Sequence, residues 1–211
     1  VFWGKRNGGD PHFYNEKWEG VESEENSDYA KYEGELKHKE GVKLGYPEGQ
    51  GTWTFYNGPK FVGEFKGGFP NGQVTYTLPN GTKYVGEVRY FEKHGQGTLT
   101  TIQGSKYVGE WKNDLPDGQL SYSSHNGDTY EGEWKKGERD GQATWISPSQ
   151  KKKYVGVYKK GKRHGQGTWY MPDGGKISGE WREDDFWNVK EYDNYGNFLR
   201  EWRNGVYVKN K

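Results

Sequence analysis

The chain has 211 residues with 31 basic and 30 acidic side chains, and this near-neutral balance gives no long-range field for a polyanion, which argues against nucleic-acid binding. Aromatic residues make up 17% of the sequence and hydrophobic residues 29% in total, so a conventional aliphatic core is excluded, and this aromatic content also argues against disorder. Cysteine is absent, which excludes disulfides and thiolate metal sites, and no apolar run approaches the ~20 residues of a membrane-spanning helix.

Residues 1–31 are rich in aromatic side chains, and these are followed by the acidic stretch "ESEENSD" at residues 22–28, which has the composition of a solvated linker. Two interpretations remain open: the segment caps its own chain, or it docks on another copy or on a partner. The aromatic residues available for self-association are Phe2, Trp3, Phe13, Tyr14 and Trp18. The chain starts at Val1 rather than Met, so export is an alternative to a cytoplasmic or membrane-associated location.

From Tyr32 onward the sequence repeats with a spacing of about 23 residues. Position 1 of each repeat is usually aromatic, position 3 is glycine, position 5 is large and hydrophobic, and position 12 is again glycine. Position 1 is occupied by Tyr32, Phe61, Tyr84, Tyr107, Tyr130, Tyr154 and Ile177. We therefore expect seven repeats at 32–60, 61–83, 84–106, 107–129, 130–153, 154–176 and 177–199, followed by a closing hairpin strand in 200–211.

Within each repeat, side chains alternate with the two-residue period of a strand, as in "YVGEWK" and "GQGTWY". Turn-forming sequences such as "KKGKRH" and "MPDG" separate these stretches, so each repeat predicts one β-hairpin. Glu at position 4, Lys or Arg at position 6 and a column of Gln share the face opposite the rings. Opposite charges and amides on neighbouring strands of this face should pair.

Glycine weakens a strand unless another group must approach its backbone closely. The aromatic residues of each repeat share a face with the glycines, so the rings can lie over bare main chain. Each ring that loses roughly 100 Å² of exposed area on folding contributes about 2.5 kcal/mol to the stability of the folded chain. A single-layer sheet can then be stable without a second layer.

The stretches "YVGEWKNDLPDGQL", "YEGEWKKGERDGQATW" and "YVGVYKKGKRHGQGTWYMPDG" resemble MORN repeats, in which MORN stands for membrane occupation and recognition nexus. The resemblance covers residues 32–199. It implies an all-β fold, an elongated, single-layer, twisted antiparallel sheet of tandem β-hairpins. It also implies a scaffold or adaptor that binds partner proteins, forms dimers or, in some members, contacts membranes.

The aromatic face is the first candidate for binding a protein partner or a second copy of the chain. A continuous apolar strip of this kind marks interaction sites in other proteins. The residues expected to line it are Tyr107, Trp111, Tyr130, Trp134, Trp145, Tyr154, Trp169 and Trp181. The sheet ends are a second route to self-association, because open edges pair with other chains.

Two alternatives to this scaffold remain open. A peripheral membrane adaptor would bind anionic lipid, or an acidic partner, through a basic cluster. That cluster comprises Lys151, Lys152, Lys153, Lys159, Lys160, Lys162 and Arg163. An exported structural subunit would instead assemble end to end, with residues 1–31 docking on the next copy.

The sequence offers no convergent set of catalytic side chains, and we expect no enzyme activity, cofactor or metal. His94 and His164 occupy the position that holds Asn71, Asp117 and Asp140 in other repeats. Short polar residues at such a position bond to the local backbone of a turn, and we assign the two histidines this role.

Overall fold

The computed structural model describes residues 2–5, 29–38 and 45–209. Every regular element in these residues is a β-strand, and the strands pair in antiparallel fashion, which confirms the all-β hairpin fold. The described residues contain no helix of the length and apolarity that crossing a membrane requires. Two compact units divide the chain: unit 1 spans Val1–Ile102 and unit 2 spans Gln103–Lys211.

Unit 1 is an antiparallel meander in which each strand pairs with the next strand along the chain. Its strands are β1 (Phe2–Lys5), β2 (Tyr29–Lys37), β3 (Tyr46–Phe55), β4 (Lys60–Lys66), β5 (Phe69–Thr77), β6 (Lys83–Arg89) and β7 (Glu92–Thr100). The segment containing Phe2 and Trp3 forms β1 and pairs with β2 of the same chain. Phe13, Tyr14 and Trp18 lie outside the described residues, so their role in self-association stays a prediction.

Unit 2 continues the same pattern of consecutive antiparallel strands. Its strands are β8 (Lys106–Lys112), β9 (Leu115–Ser123), β10 (Thr129–Lys135), β11 (Glu138–Ser147), β12 (Lys152–Lys159), β13 (Lys162–Tyr170), β14 (Lys176–Arg182), β15 (Asp185–Tyr192), β16 (Phe198–Arg203) and β17 (Val206–Val208). Each repeat is one hairpin, such as β8–β9, β10–β11 or β12–β13.

The hairpin within a repeat closes on a two-residue turn in which both residues have positive φ. Asn113 and Asp114 have φ of 50° and 66°, and Lys160 and Gly161 have φ of 50° and 81°. Such turns match the right-handed twist of the flanking strands. They also place successive turns side by side, because Gly161 donates its N–H at 2.8 Å to the carbonyl of Arg139, which follows the preceding turn at the start of β11.

The two faces of the sheet differ as the alternation predicts. Position 1, 3 and 5 residues share one face, the aromatic face, and the position 4 glutamates lie on the other, the polar face. The pairing register shifts between positions 3 and 5, for example between Gly156 and Tyr158, where a β-bulge interrupts the ladder. The 23-residue pattern does not reveal this bulge.

Rings lie over glycine main chain on the aromatic face, as the sequence predicts. A Cβ built on Gly167 of β13 would overlap the hydroxyl of Tyr154 on β12, and Gly97 has the same relation to Tyr84. Tyr154 is 0% exposed, and its hydroxyl donates to the carbonyl of Val157 at 3.2 Å. The ring is therefore buried and hydrogen-bonded within a single sheet.

On the polar face, the position 4 glutamates hold the bulge together. The Glu133 carboxylate accepts the main-chain N–H of Gln142 at 3.1 Å, and Glu110 accepts that of Gln119 at 3.2 Å. The Glu and Gln columns thus pair as expected, but the glutamate binds the main chain rather than the side-chain amide. Val157 occupies position 4 in repeat 154–176, so that repeat lacks the contact.

Candidate functional site

The aromatic face of unit 2 has a buried inner set of residues and a half-buried outer set packed on it. The inner set is Tyr130, Ala143, Tyr154, Tyr158, Ile177, Trp181 and Val189. The outer set comprises Tyr122, Trp134, Trp145, Trp169, Phe186 and Trp202. Together with the half-buried Tyr107, whose ring contacts Tyr122 and Trp134, it is here called the outer aromatic layer. All regular elements described in unit 2 are strands, so no helix or second sheet of this unit's described residues covers the layer.

The residues expected to line the partner-binding face divide between these two sets. Four are buried and form the core that holds the sheet together: Trp111, Tyr130, Tyr154 and Trp181. Four are half-buried and belong to the outer aromatic layer: Tyr107, Trp134, Trp145 and Trp169. Of these eight residues, only the second group has substantial ring surface exposed to solvent.

The sequence prediction omitted Tyr122, Phe186 and Trp202 from the binding face. Tyr122 could have been included, because it occupies the same repeat position as Trp145 and Trp169. Phe186 and Trp202 lie where the repeat pattern has degenerated, so no register indicates which face they occupy. Their ring centroids are 4.8 Å apart, and Phe186 also contacts Trp181 at 5.0 Å.

Ring contacts fix the outer aromatic layer in place. Trp145 and Trp169 stack with centroids 5.5 Å apart and planes inclined by 15°. Tyr107 lies 4.6 Å from Tyr122 and 6.4 Å from Trp134. Aromatic pairs of this kind contribute about 0.5–1.5 kcal/mol each beyond their buried area. The layer is thus an ordered surface, which limits the entropy lost when a partner binds.

Two arginines lie on the aromatic face at the same repeat position, nine residues after Tyr130 and Tyr154. Arg163 stacks on Trp181 and Trp169, with its guanidinium carbon 4.5 and 4.8 Å from their ring centroids. Its Nε also binds the Asp184 carboxylate at 2.8 Å. Trp181, Trp169 and Asp184 therefore hold the Arg163 guanidinium on the aromatic face. Arg163 is not part of an exposed basic cluster, in which the sequence analysis placed it.

Arg139 stacks in the same way but has a different electrostatic environment. Its guanidinium carbon is 4.7 Å from the Tyr130 ring centroid and 5.9 Å from that of Trp134. No carboxylate among the described residues forms an ion pair with it. The neighbouring Trp134 Nε1 is buried and has no hydrogen-bond acceptor in the part of the chain that the structure describes, whereas Trp181 Nε1 donates to the Gly167 carbonyl at 3.2 Å.

Burial also raises the pKa values of two tyrosines on the aromatic face of unit 2. Burial raises the pKa of Tyr158 to about 12, against the opposing charges of Arg139 and Arg163. Burial likewise raises the pKa of Tyr107, with a smaller contribution from Tyr122. Both hydroxyls therefore remain protonated near neutral pH.

The expected basic cluster does not form a single patch. Lys151, Lys152 and Lys153 lie at the start of β12, and Lys159, Lys160 and Lys162 lie at or beyond its end. Seven residue steps of about 3.3 Å separate Lys152 from Lys159, which places the two groups ~23 Å apart along the strand. Lys162 is also 3.5 Å from the Glu183 carboxylate.

The two histidines lie apart from any cluster of potential metal ligands, and no group of three such side chains occurs in the described residues. The main-chain carbonyl of His94 accepts a hydrogen bond from the Tyr84 hydroxyl at 3.4 Å. His94 and His164 lie in strands β7 and β13 rather than in turns, which corrects the turn position expected for them from the repeat.

Comparison with known proteins gives one family match that covers most of the chain. The model of the MORN repeat matches residues 41–60, 61–83, 84–106, 107–129, 130–152 and 154–176. No curated protein matches the sequence. Among solved structures, the chain is similar to the wild-type TCP10 domain of CPAP from Danio rerio and to a point mutant of that domain, with 14% and 15% identity.

Each of these two structural likenesses covers 74% of this chain and 89% of the CPAP chain. Their TM-scores are 0.20 for the wild-type domain and 0.30 for the mutant. At this level of superposition we draw nothing from either likeness.

Proposed function

Since the chain belongs to the MORN repeat family, we propose that it is a non-catalytic scaffold that binds a partner protein through the outer aromatic layer of unit 2. Repeats of this family are generally scaffolds for protein or lipid interactions. The proposal assigns the protein-binding role to this chain and the binding site to Trp134, Trp145 and Trp169 in particular.

The observation that carries the proposal is the stacked, half-buried pair Trp145 and Trp169, on a face that no described element of unit 2 covers. Tryptophan is enriched among the residues that dominate binding energy at protein interfaces. The inner rings already fill the space above the glycines, so the outer rings are not needed to cover bare backbone. Their exposed surface is therefore available to a partner.

Self-association at the last hairpin is a second route by which the chain could act as a scaffold. Phe198, Leu199, Val206 and Tyr207 of β16 and β17 are all exposed large hydrophobic residues. A neighbouring chain that paired with this hairpin would remove them from water.

Lipid binding has weaker support from the geometry, although it belongs to the general repertoire of the family. The lysines expected to contact anionic lipid lie at opposite ends of β12, and Lys162 has an acidic neighbour. A vesicle flotation assay with and without anionic lipid tests this alternative. Binding that depends on anionic lipid and is lost when Lys151, Lys152 and Lys153 are changed to Gln would favour the membrane adaptor.

Partner capture with matched surface variants tests the proposed function. The immobilised chain is exposed to an extract of its source cells, alongside a Trp145→Ser, Trp169→Ser double variant and a control variant, Val155→Ser, on the polar face. Val155 is 37% exposed, so its replacement leaves the aromatic face intact.

We expect one or more proteins to be retained by the unmodified chain and by Val155→Ser, and to be lost from the double variant. Circular dichroism and urea unfolding establish that all three forms are folded. Retention of the same proteins by the folded double variant would contradict the proposal.

A further inference from the structure

We propose that the segment that docks on unit 2 carries a carboxylate side chain, and that Arg139 binds this carboxylate. The inference rests on the proposed function and specifies the chemistry of the partner: an acidic segment with apolar residues that contact the outer aromatic layer. It follows from comparing Arg139 with Arg163, which occupies the equivalent place one repeat later.

The two arginines have the same main-chain environment. Gly161 donates its N–H to the Arg139 carbonyl at 2.8 Å, and Asp184 donates its N–H to the Arg163 carbonyl at 3.0 Å. Gly161 and Asp184 also have the same left-handed conformation, with φ of 81° and 77°. Gly161 therefore occupies the same position relative to Arg139 that Asp184 occupies relative to Arg163.

The side chains at these two turn positions determine whether each guanidinium has a carboxylate partner within the chain. Asp184 supplies a carboxylate oxygen 2.8 Å from Arg163 Nε, whereas Gly161 has no side chain to offer Arg139. A Cβ built on Gly161 meets no atom within 4 Å, so the space beside it is open. The repeat thus contains a carboxylate-binding position that the chain itself fills at Arg163 and leaves open at Arg139.

Arg139 is also exceptional among the arginines of unit 2. Arg163, Arg182, Arg200 and Arg203 each pair with a carboxylate of the chain, at Asp184, Glu180, Glu191 and Glu201 respectively. A guanidinium can bind a carboxylate through two parallel hydrogen bonds, and it attracts an anion more strongly on an apolar surface than in water. Arg139 lies on such a surface, over the rings of Tyr130 and Trp134.

Trp134 provides a second, independent observation at the same place. Its indole N–H has no acceptor among residues 2–5, 29–38 and 45–209, although the equivalent Trp181 donates to a carbonyl. Buried donors are normally paired, so a nearby unpaired one indicates a missing acceptor. The nitrogen is buried in the free chain.

The test supplies the missing carboxylate from the chain itself. Gly161→Asp places an acid beside Arg139 in the conformation that Asp184 already has, and Gly161→Asn provides a matched neutral control. Asp and Asn tolerate the left-handed conformation better than other side chains. Arg139→Gln removes the cation directly.

Two labelled peptides serve as probes, one of alternating Leu and Glu and one of alternating Leu and Gln, with affinities measured by fluorescence anisotropy at fixed low salt. We expect the Glu peptide to bind the unmodified chain roughly tenfold more tightly than the Gln peptide, the scale of one charge-assisted hydrogen-bonded pair. Gly161→Asp and Arg139→Gln should abolish this preference, and Gly161→Asn should retain it. The indole N–H resonance of Trp134 should shift when the Glu peptide binds.

Equal affinity for the two peptides, no binding of the Glu peptide, or a preference that survives Gly161→Asp would overturn the inference. The Trp145→Ser, Trp169→Ser variant separates this result from a failure of the proposed function. If both peptides bind equally and both are weakened by that variant, the docking surface stands and the role of Arg139 falls. If neither peptide responds to the loss of the two tryptophans, the outer aromatic layer is not the site at which these probes bind.

Discussion

Repeats 107–129 and 154–176 share one hairpin register but fill the same space differently. In repeat 154–176, Tyr154 lies over Gly167, is 0% exposed and donates its hydroxyl to a main-chain carbonyl. In repeat 107–129, Leu120 stands where Gly167 stands, and Tyr107 is half-buried beside Tyr122.

The difference between these two repeats indicates that a leucine at position 14 and a tyrosine ring at position 1 compete for the volume above the position 3 glycine. A Cβ built on Gly156 would overlap the Gly167 main chain, and one on Gly109 would lie 2.7 Å from the Leu120 Cα. When position 14 is glycine the ring enters the core. In repeat 107–129 position 14 is Leu120, which is buried while the Tyr107 ring joins the outer aromatic layer. In repeat 61–83 the smaller Val74 is buried together with the Phe61 ring.

Transplanting the leucine into the other repeat should have the largest effect. Gly167→Leu places a large side chain where the Tyr154 ring lies, so the ring must leave the core and lose its hydrogen bond. We expect a loss of about 3 kcal/mol in the free energy of unfolding, at the upper end of the range for overpacking. Urea unfolding measures it. A loss below about 1 kcal/mol would show that the space is not shared in this way.

Alkaline pH should affect the tyrosine-rich repeat next most strongly. Burial raises the pKa of Tyr158 from its ordinary value of 10.0 to about 12, so the native chain keeps a proton that the unfolded chain releases. The free energy of unfolding should be constant below pH 10 and fall between pH 10 and pH 12, by about 2 kcal/mol from this residue. Denaturation midpoints measured at several pH values test the decline.

Tyr158→Trp provides the control, because Trp is the residue that repeat 107–129 has at the same position, as Trp111. The variant removes one ionisable group and should show a shallower alkaline decline than the unmodified chain. Declines of equal slope would mean that Tyr158 does not contribute.

Removing the hydroxyl group of Tyr154 or of Tyr107 compares the two repeats through a single hydrogen bond. Tyr154→Phe leaves the Val157 carbonyl without its 3.2 Å partner and should cost about 1 kcal/mol. Tyr107→Phe should cost less, because that ring is half-buried and its hydroxyl is hydrogen-bonded to the Tyr122 side chain rather than to a main-chain carbonyl. The quantity to measure is the loss in the free energy of unfolding caused by each substitution. Equal losses would contradict the claim that the Tyr154 hydroxyl stabilises the chain more than the Tyr107 hydroxyl does.

The smallest predicted effect is a gain in stability on the polar face. Repeat 107–129 has Glu110 at position 4, which binds the main-chain N–H of Gln119, whereas repeat 154–176 has Val157 there. Val157→Glu should provide the same contact to Gln166 and raise the free energy of unfolding by roughly 0.5 kcal/mol. Val157→Gln is the matched neutral variant, and an equal gain from both would show that charge is not required.

The sequence predicted the hairpins, the two faces and the ring-over-glycine packing because all three follow from one 23-residue register. It could not separate Trp181, which is 1% exposed, from the half-buried Trp134 at the same position. Their burial depends on which side chains the adjacent strands contribute, and a repeat position alone does not contain that information.

Repeat position also fails to distinguish the two arginines of the candidate site. The register places Arg139 and Arg163 in equivalent positions, and the sequence prediction grouped Arg163 with lysines close to it in the chain. Their difference depends on Gly161 and Asp184, which lie more than twenty residues further along and become neighbours only when successive turns stack. Local spacing indicates charge density, but it does not indicate which charges the fold neutralises.

A double-mutant cycle between Tyr154 and Gly167 tests most directly whether a ring resting on bare main chain holds this single sheet together. Gly167→Ala should destabilise the unmodified chain by about 1–3 kcal/mol, because the added methyl group meets the Tyr154 ring. In a Tyr154→Ala background the same change should be neutral or stabilising, because the ring is gone and glycine is unfavourable in a strand. An equal cost of Gly167→Ala in both backgrounds would contradict the account.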